Sequence, residues 1–141
     1  MSSRHKSRAI CLQGLYQIEL ANVDLDEVLS YRWYEKSISE DEKELSTKLI
    51  KGVVENWETL DSIIKAYSKN RDFDRISIVN RCILRLSIFS LINMRELASR
   101  IVINEAIELT REFESEESVG FVNGILDSVY KDDLARISGE L

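Results

Sequence analysis

Proline is absent from the 141 residues, glycine occurs only five times, cysteine twice and histidine once. So little proline and glycine excludes a chain of many tight turns, and a composition rich in Leu, Ile, Glu, Lys and Arg favours long helices. Cys11 and Cys82 stand far apart inside apolar stretches, which is no disulfide framework; a reducing, cytoplasmic setting is expected. Long apolar runs are missing too. Gln13, Gln17 and Glu19 interrupt the stretch after the basic N-terminus, and nothing approaches the roughly 20 apolar residues of a membrane span, so neither signal peptide nor membrane anchor is expected. Acidic residues do not appear before Glu19, whereas Arg4, Lys6 and Arg8 do, giving residues 1–18 a charge of +3 against −9 for the remainder. The net −6 argues against general affinity for nucleic acid, and the segregation singles out residues 1–8 as a basic arm.

What is present is helical periodicity. Cys11, Leu12, Leu15, Tyr16, Ile18 and Leu20 recur in steps of three and four and predict a first helix from near Ser3 to Asn22. Asp24 with Glu27 has capping-box spacing and opens a short second helix through Val28 and Leu29; Ser39 with Glu42 repeats the spacing before Leu45, Leu49, Ile50, Val53 and Val54. Leu60, Ile63, Ile64 and Tyr67 make a fourth helix, followed by a polar loop over 68–75. Residues 76–92 are apolar on most sides, with Asn80, Arg81 and Arg85 as the one polar strip, which predicts the central element of a bundle. Ile101, Val102, Ala106, Ile107 and Leu109 mark a helix reaching about Phe113, and Ser115 caps a last one striped by Val119, Val122, Ile125, Leu126 and Val129. Gly120 and Gly124, four apart on it, are expected to admit a close neighbour, and residues 131–141 to fray. No repeat and no strand-like alternation is visible, so one all-α domain over 1–141 is expected.

The residue set gives catalysis no support. The single histidine, His5, falls in an arm expected to lack structure, where it makes a poor base for a nucleophile. Two dispersed cysteines and one histidine cannot supply four zinc ligands, and no phosphate-binding or dinucleotide loop occurs; neither metal nor cofactor is expected. The acidic runs at 40–44 and 112–117 read as solvated helix faces.

The arm has two readings. Cations in the first turns of a helix oppose its macrodipole by about 0.3–1 kcal/mol each, so an isolated fold gains nothing from Arg4, His5, Lys6 and Arg8, whereas a polyanion would reverse the sign. A solvated, frayed tail is the other reading, and the arm alone leaves both open. Tyr67 and Phe121 could stack on unpaired bases, though aromatics at helical spacing more often belong to a core. Arg81 and Arg85 could pair with carboxylates, Asn104 and Asn123 could link helices as buried amides, and both cysteines read as small core residues.

The stretch Asp74-Arg75-Ile76-Ser77-Ile78-Val79-Asn80-Arg81-Cys82-Ile83-Leu84-Arg85-Leu86 resembles the NusB family of bacterial transcription antitermination factors. Three further blocks match in order: Leu12-Gln13-Gly14-Leu15-Tyr16, Val102-Ile103-Asn104-Glu105-Ala106-Ile107-Glu108-Leu109, and Ser115-Glu116-Glu117-Ser118 leading into Phe121-Val122-Asn123-Gly124-Ile125-Leu126-Asp127. The resemblance covers nearly the whole chain. It implies about seven helices in two packed sub-bundles around a central apolar helix. It also implies a non-catalytic adaptor that binds single-stranded boxA RNA of nascent ribosomal leaders with the ribosomal protein NusE, and that acts with NusA, NusG and RNA polymerase. By the same resemblance the RNA contacts are the arm residues Arg4, His5, Lys6 and Arg8, the aromatics Tyr67 and Phe121, and the polar neighbours Asn80 and Glu117. Asn80 stands where relatives often carry an acid, and Gly120 where a lysine can occur. Monomers and homodimers both occur among relatives. The rival readings are a purely structural interaction module and an accessory domain of a ribosomal-RNA methyltransferase, the latter requiring a further domain.

Overall fold

A computed structural model describes residues 2–69 and 71–140, the side chains of 134–140 excepted. Seven α-helices follow one another: α1 (Ser3–Ala21), α2 (Leu25–Leu29), α3 (Glu40–Glu55), α4 (Trp57–Tyr67), α5 (Ile78–Asn93), α6 (Ser99–Phe113) and α7 (Val119–Glu140), with 3-10 turns at Phe73–Arg75 and Glu116–Ser118. No strand occurs among the described residues.

The helix ends follow from local chemistry. Ser2 accepts the His5 amide at the start of α1, and Asn22 closes it in the left-handed region at φ 54°, returning its N–H to the Gln17 and Ile18 carbonyls. The box before α3 forms as expected: Ser39 Oγ accepts the Glu42 amide at 3.1 Å, and Glu42 Oε1 accepts the Ser39 amide at 2.9 Å. The box expected at Asp24 does not form. Asp24 makes no side-chain cap bond, and Glu27 pairs instead with the guanidinium of Arg32.

α5 lies in the middle, touching α1, α3, α4, α6 and α7, as its apolar circumference predicts. On one side α1 packs on α2 and α3; on the other, α7 packs on α4 and α6. Two glycines set the first group's spacing. A Cβ at Gly14 would lie 2.9 Å from Val28 Cγ1, and one at Gly52 would lie 2.6 Å from two ring carbons of Phe89 and nearer still to a third. α3 therefore meets the Phe89 ring through bare backbone.

The strip expected on α5 is mostly interior. Arg85 is 1% exposed, with Nε and Nη2 donating to Asp61 and Nη1 and Nη2 to Glu19, while Arg81 reaches Glu19 at 3.1 Å. The pairing with carboxylates thus holds, across α1, α4 and α5. Burial alone would raise Glu19, but hydrogen bonds and charge from Arg85, then Arg81, hold it below the usual carboxylate range. Cys11 and Cys82 are buried free thiols, as expected.

Three expectations are corrected. Gly120 and Gly124 admit no neighbour, since nothing lies within 4 Å of a Cβ built at either; they face open space. Asn104 and Asn123 are exposed, so neither is a buried link: each sits on the solvent side of its helix. His5 is not in an unstructured arm, because α1 begins at Ser3 and buries it. The fraying expected for 131–141 falls largely outside the described side chains; the backbone is helical to Glu140. No helix among the described residues is long and apolar enough to cross a membrane.

Candidate nucleic-acid interface

The first two turns of α1 lie against α3 and α6. Arg8, 1% exposed, places Nε 2.9 Å from Glu105 Oε2 and donates from Nη2 to Ser90 Oγ at 3.2 Å. Burial lowers the Arg8 guanidinium and raises the Glu105 carboxyl, and their mutual attraction opposes both shifts. His5 is held between two carboxylates of α6, Nε2 at 2.6 Å from Glu112 and Nδ1 at 3.3 Å from Glu108. Lys6 donates to the Ser37 carbonyl at 2.7 Å and lies 3.2 Å from Glu42. Lys6 and Arg8 thus face glutamates of α3 and α6, and at Arg8 and Glu105 burial outweighs the mutual attraction, so the pair orders the start of α1 without a net electrostatic gain. Arg4 stays exposed and makes no hydrogen bond or ion pair with a described residue.

His5, Glu108 and Glu112 also form a group of metal-capable side chains whose ligand atoms lie within 4.8 Å of one another. Each imidazole nitrogen faces its own carboxylate, whereas a metal ion takes one nitrogen and would have to draw the other carboxylate across the ring. The arrangement reads as a structural tie between α1 and α6.

The two aromatics meet elsewhere. Tyr67 ends α4 and Phe121 lies in the first turn of α7; both are half-buried rather than core. They line one groove of about 400 Å³ with Ser68, Lys69, Arg71, Gly120, Gly124 and Ile125. Tyr67 donates its hydroxyl to Asp132 at 2.6 Å, and that bond, with burial and the nearby acids, raises the phenol above its ordinary value. The Arg71 guanidinium lies 4.0 Å from the Phe121 ring centre. Ser68 is 5% exposed, yet its hydroxyl has no hydrogen-bond partner among the described residues. The bare backbone at Gly120 and Gly124 leaves the floor of the groove open.

Asn80 is buried at the start of α5. Ser77 Oγ caps its amide, and its Nδ2 donates to Ser118 Oγ at 3.0 Å, tying α5 to the turn that carries the exposed Glu117. Asn80 Oδ1 has no partner among the described residues. The eight residues singled out from sequence thus separate. Arg4 and Glu117 are exposed, Tyr67 and Phe121 share the groove, Lys6 is half-buried, and His5, Arg8 and Asn80 are interior. No hydrogen bond, ion pair or ring contact among the described residues joins the arm to the groove. Ser68, Lys69 and Arg71 were missed, although a basic stretch interleaved with Tyr67 was a readable signal. A second groove, of about 370 Å³, is lined by Leu12, Tyr16, Trp33, Val79 and Phe113 and lacks cations.

Comparison with known proteins places this architecture. The sequence model of the NusB family matches residues 5–131. A transcription antitermination protein NusB of Leptospira biflexa is 53% identical over 134 residues, covering 95% of this chain and 96% of that one. One of Methylacidiphilum infernorum is 38% identical over 133 residues, covering 94% and 93%. Among solved structures, T. maritima NusB superposes with a TM-score of 0.83 at 30% identity, covering 93% of this chain and 92% of that one. A chain in a crystal structure of antitermination factors NusB and NusE in complex with double-stranded RNA gives a TM-score of 0.78 at 27% identity, covering 94% and 98%.

Proposed function

This chain belongs to the NusB family, and from that premise we propose that it acts in transcription antitermination as a non-catalytic RNA-binding adaptor, working in the cytoplasm. Its RNA is the boxA element of nascent ribosomal leaders, and NusE binds with it, in a larger assembly with NusA, NusG and RNA polymerase. One observation carries the assignment of RNA to the groove. Two half-exposed rings, two cations and a buried hydroxyl without a partner converge on one open surface, which suits an unpaired base. A duplex hides the faces of its bases from such rings, so a single strand is the RNA this groove accepts. Arg4 adds a phosphate contact from the arm. His5, Lys6 and Arg8 support it from behind, because the His5 ring and the Lys6 and Arg8 charges are turned to glutamates within the fold. Asn80 acts as a brace that positions the turn bearing Glu117.

The experiment is salt-titrated binding to a short single-stranded boxA RNA, with and without NusE, beside a scrambled strand and a duplex of the same sequence. Log affinity is expected to fall with log salt by about 0.7 for each phosphate engaged. Tyr67→Ala and Phe121→Ala are expected to weaken binding about 5- to 100-fold each, the loss of a base stacked on an aromatic ring. Equal affinity for all three RNAs would refute the reading. A helical protein–protein module is the second reading, favoured by the internal pairing of the arm; it predicts little salt-dependent RNA binding even with NusE present.

A further inference from the structure

We propose that Arg71 is a displaceable cover on the base-stacking face of Phe121, an inference that rests on the groove being the RNA site. The guanidinium is planar, cationic and 4.0 Å from the ring centre, the separation of a stacked pair. It stands where an unpaired base would lie, and the ring cannot serve both on that face. Arg71 is otherwise lightly held. It is exposed, follows α4 in the loop before the turn at Phe73–Arg75, and makes no ion pair with a described residue. Tyr67 on the other side of the groove is fixed by its bond to Asp132, so the movable wall is the arginine.

The remaining contents of the groove point to an absent ligand. Ser68 buries a hydroxyl that nothing in the described protein satisfies, and a buried polar group without a partner is costly unless something arrives to bond it. Gly120 and Gly124 leave open space beside Phe121 on α7. An entering base takes the Phe121 face and puts its polar edge within reach of Ser68. Arg71 swings outward to the phosphate of the same or the next nucleotide, where its charge is worth more against an anion than against a ring. The cover thus keeps an apolar face protected in the free protein and becomes a phosphate contact in the complex.

Arg71→Ala and Arg71→Gln are compared with wild type, using the full chain with NusE and a labelled single-stranded boxA RNA over a range of salt. In Arg71→Ala the slope of log affinity against log salt is expected to fall by about 0.7, one phosphate contact. At high salt the variant is expected to bind about two- to fivefold tighter than wild type, since no exposed cation–π contact must be broken. The two lines therefore cross. Arg71→Gln loses the same slope without the high-salt gain, because its planar amide still covers the ring. A uniform loss for Arg71→Ala at every salt concentration, meaning a base sandwiched by the arginine, would overturn the proposal, as would no change. Phe121→Ala on the same titration separates the two layers. If it weakens binding while the Arg71 lines fail to cross, only the cover is wrong; if it leaves RNA binding intact, the groove assignment and the cover fall together.

Discussion

Replacing Arg85 by methionine keeps most of the side chain's length and removes its charge. In the native interior this guanidinium spans Asp61, at 2.6 and 3.1 Å, and Glu19, at 2.8 and 3.1 Å, beneath the ring of Trp57. Removing one member of a buried charge group costs about 3–5 kcal/mol, chiefly because the charges left behind are uncompensated. Here Glu19 retains Arg81, and the carboxylate side chains keep 15% and 17% exposure, so the lower end applies, about 3 kcal/mol at pH 7. Urea unfolding followed by tryptophan fluorescence reads the loss. The pH dependence supplies a sign. In wild type Glu19 is held below its ordinary value, so its contribution is fully present above the unfolded carboxylate value of about 4.3 and is lost only as pH falls through the lower folded value. In Arg85→Met, Glu19 keeps the burial that raises it and loses the Arg85 hydrogen bonds and charge that oppose that burial, so its folded value moves up. Protonation then stabilises the variant, and its deficit relative to wild type shrinks as pH is lowered from about 7 to 5. A deficit below about 1 kcal/mol, or one constant across that interval, would refute the idea that Arg85 compensates this acidic pair.

The contact of Gly52 with Phe89 predicts that Gly52→Ala lowers stability by about 1–2 kcal/mol, overpacking outweighing the roughly 1 kcal/mol gained in helix propensity. The combined Gly52→Ala, Phe89→Leu protein should lose less than the sum of the single changes; additive losses in thermal melts would contradict the packing account. Burial pushes the Cys82 thiol up to about 12 and the Cys11 thiol higher still, so neither should react with a thiol reagent at neutral pH until the chain opens. A rapidly modified equivalent in the native protein would show one of them to be accessible.

Much of the fold was legible because its determinants are local or periodic. The Ser39–Glu42 box and the near-continuous apolar surface of α5 both lead to the observed elements. The Asp24 box carried the same spacing and did not form; Glu27, its reciprocal half, pairs with Arg32 five residues on, a signal as local as the cap itself. The arm was misread for a different reason: the Glu112 carboxylate that holds His5 is 107 positions away, and no local pattern reveals such a partner. Asn104 and Asn123 were misread because helical position fixes which residues share a face, but not how far that face is covered. In the candidate interface, the resemblance singled out Tyr67 and Phe121, which share one groove, whereas Arg71 lies in a loop whose conformation alone brings it over the ring.

The clasp of α6 glutamates around the start of α1 has a practical corollary. The Arg8–Glu105 pair at its centre is shut away from solvent and feels little counter-ion shielding, whereas Arg4 and Lys69 stand in bulk electrolyte. Brine strong enough to wash transcripts off during chromatography should therefore leave the amino-terminal helix seated, so that the stripped preparation can be reloaded without refolding.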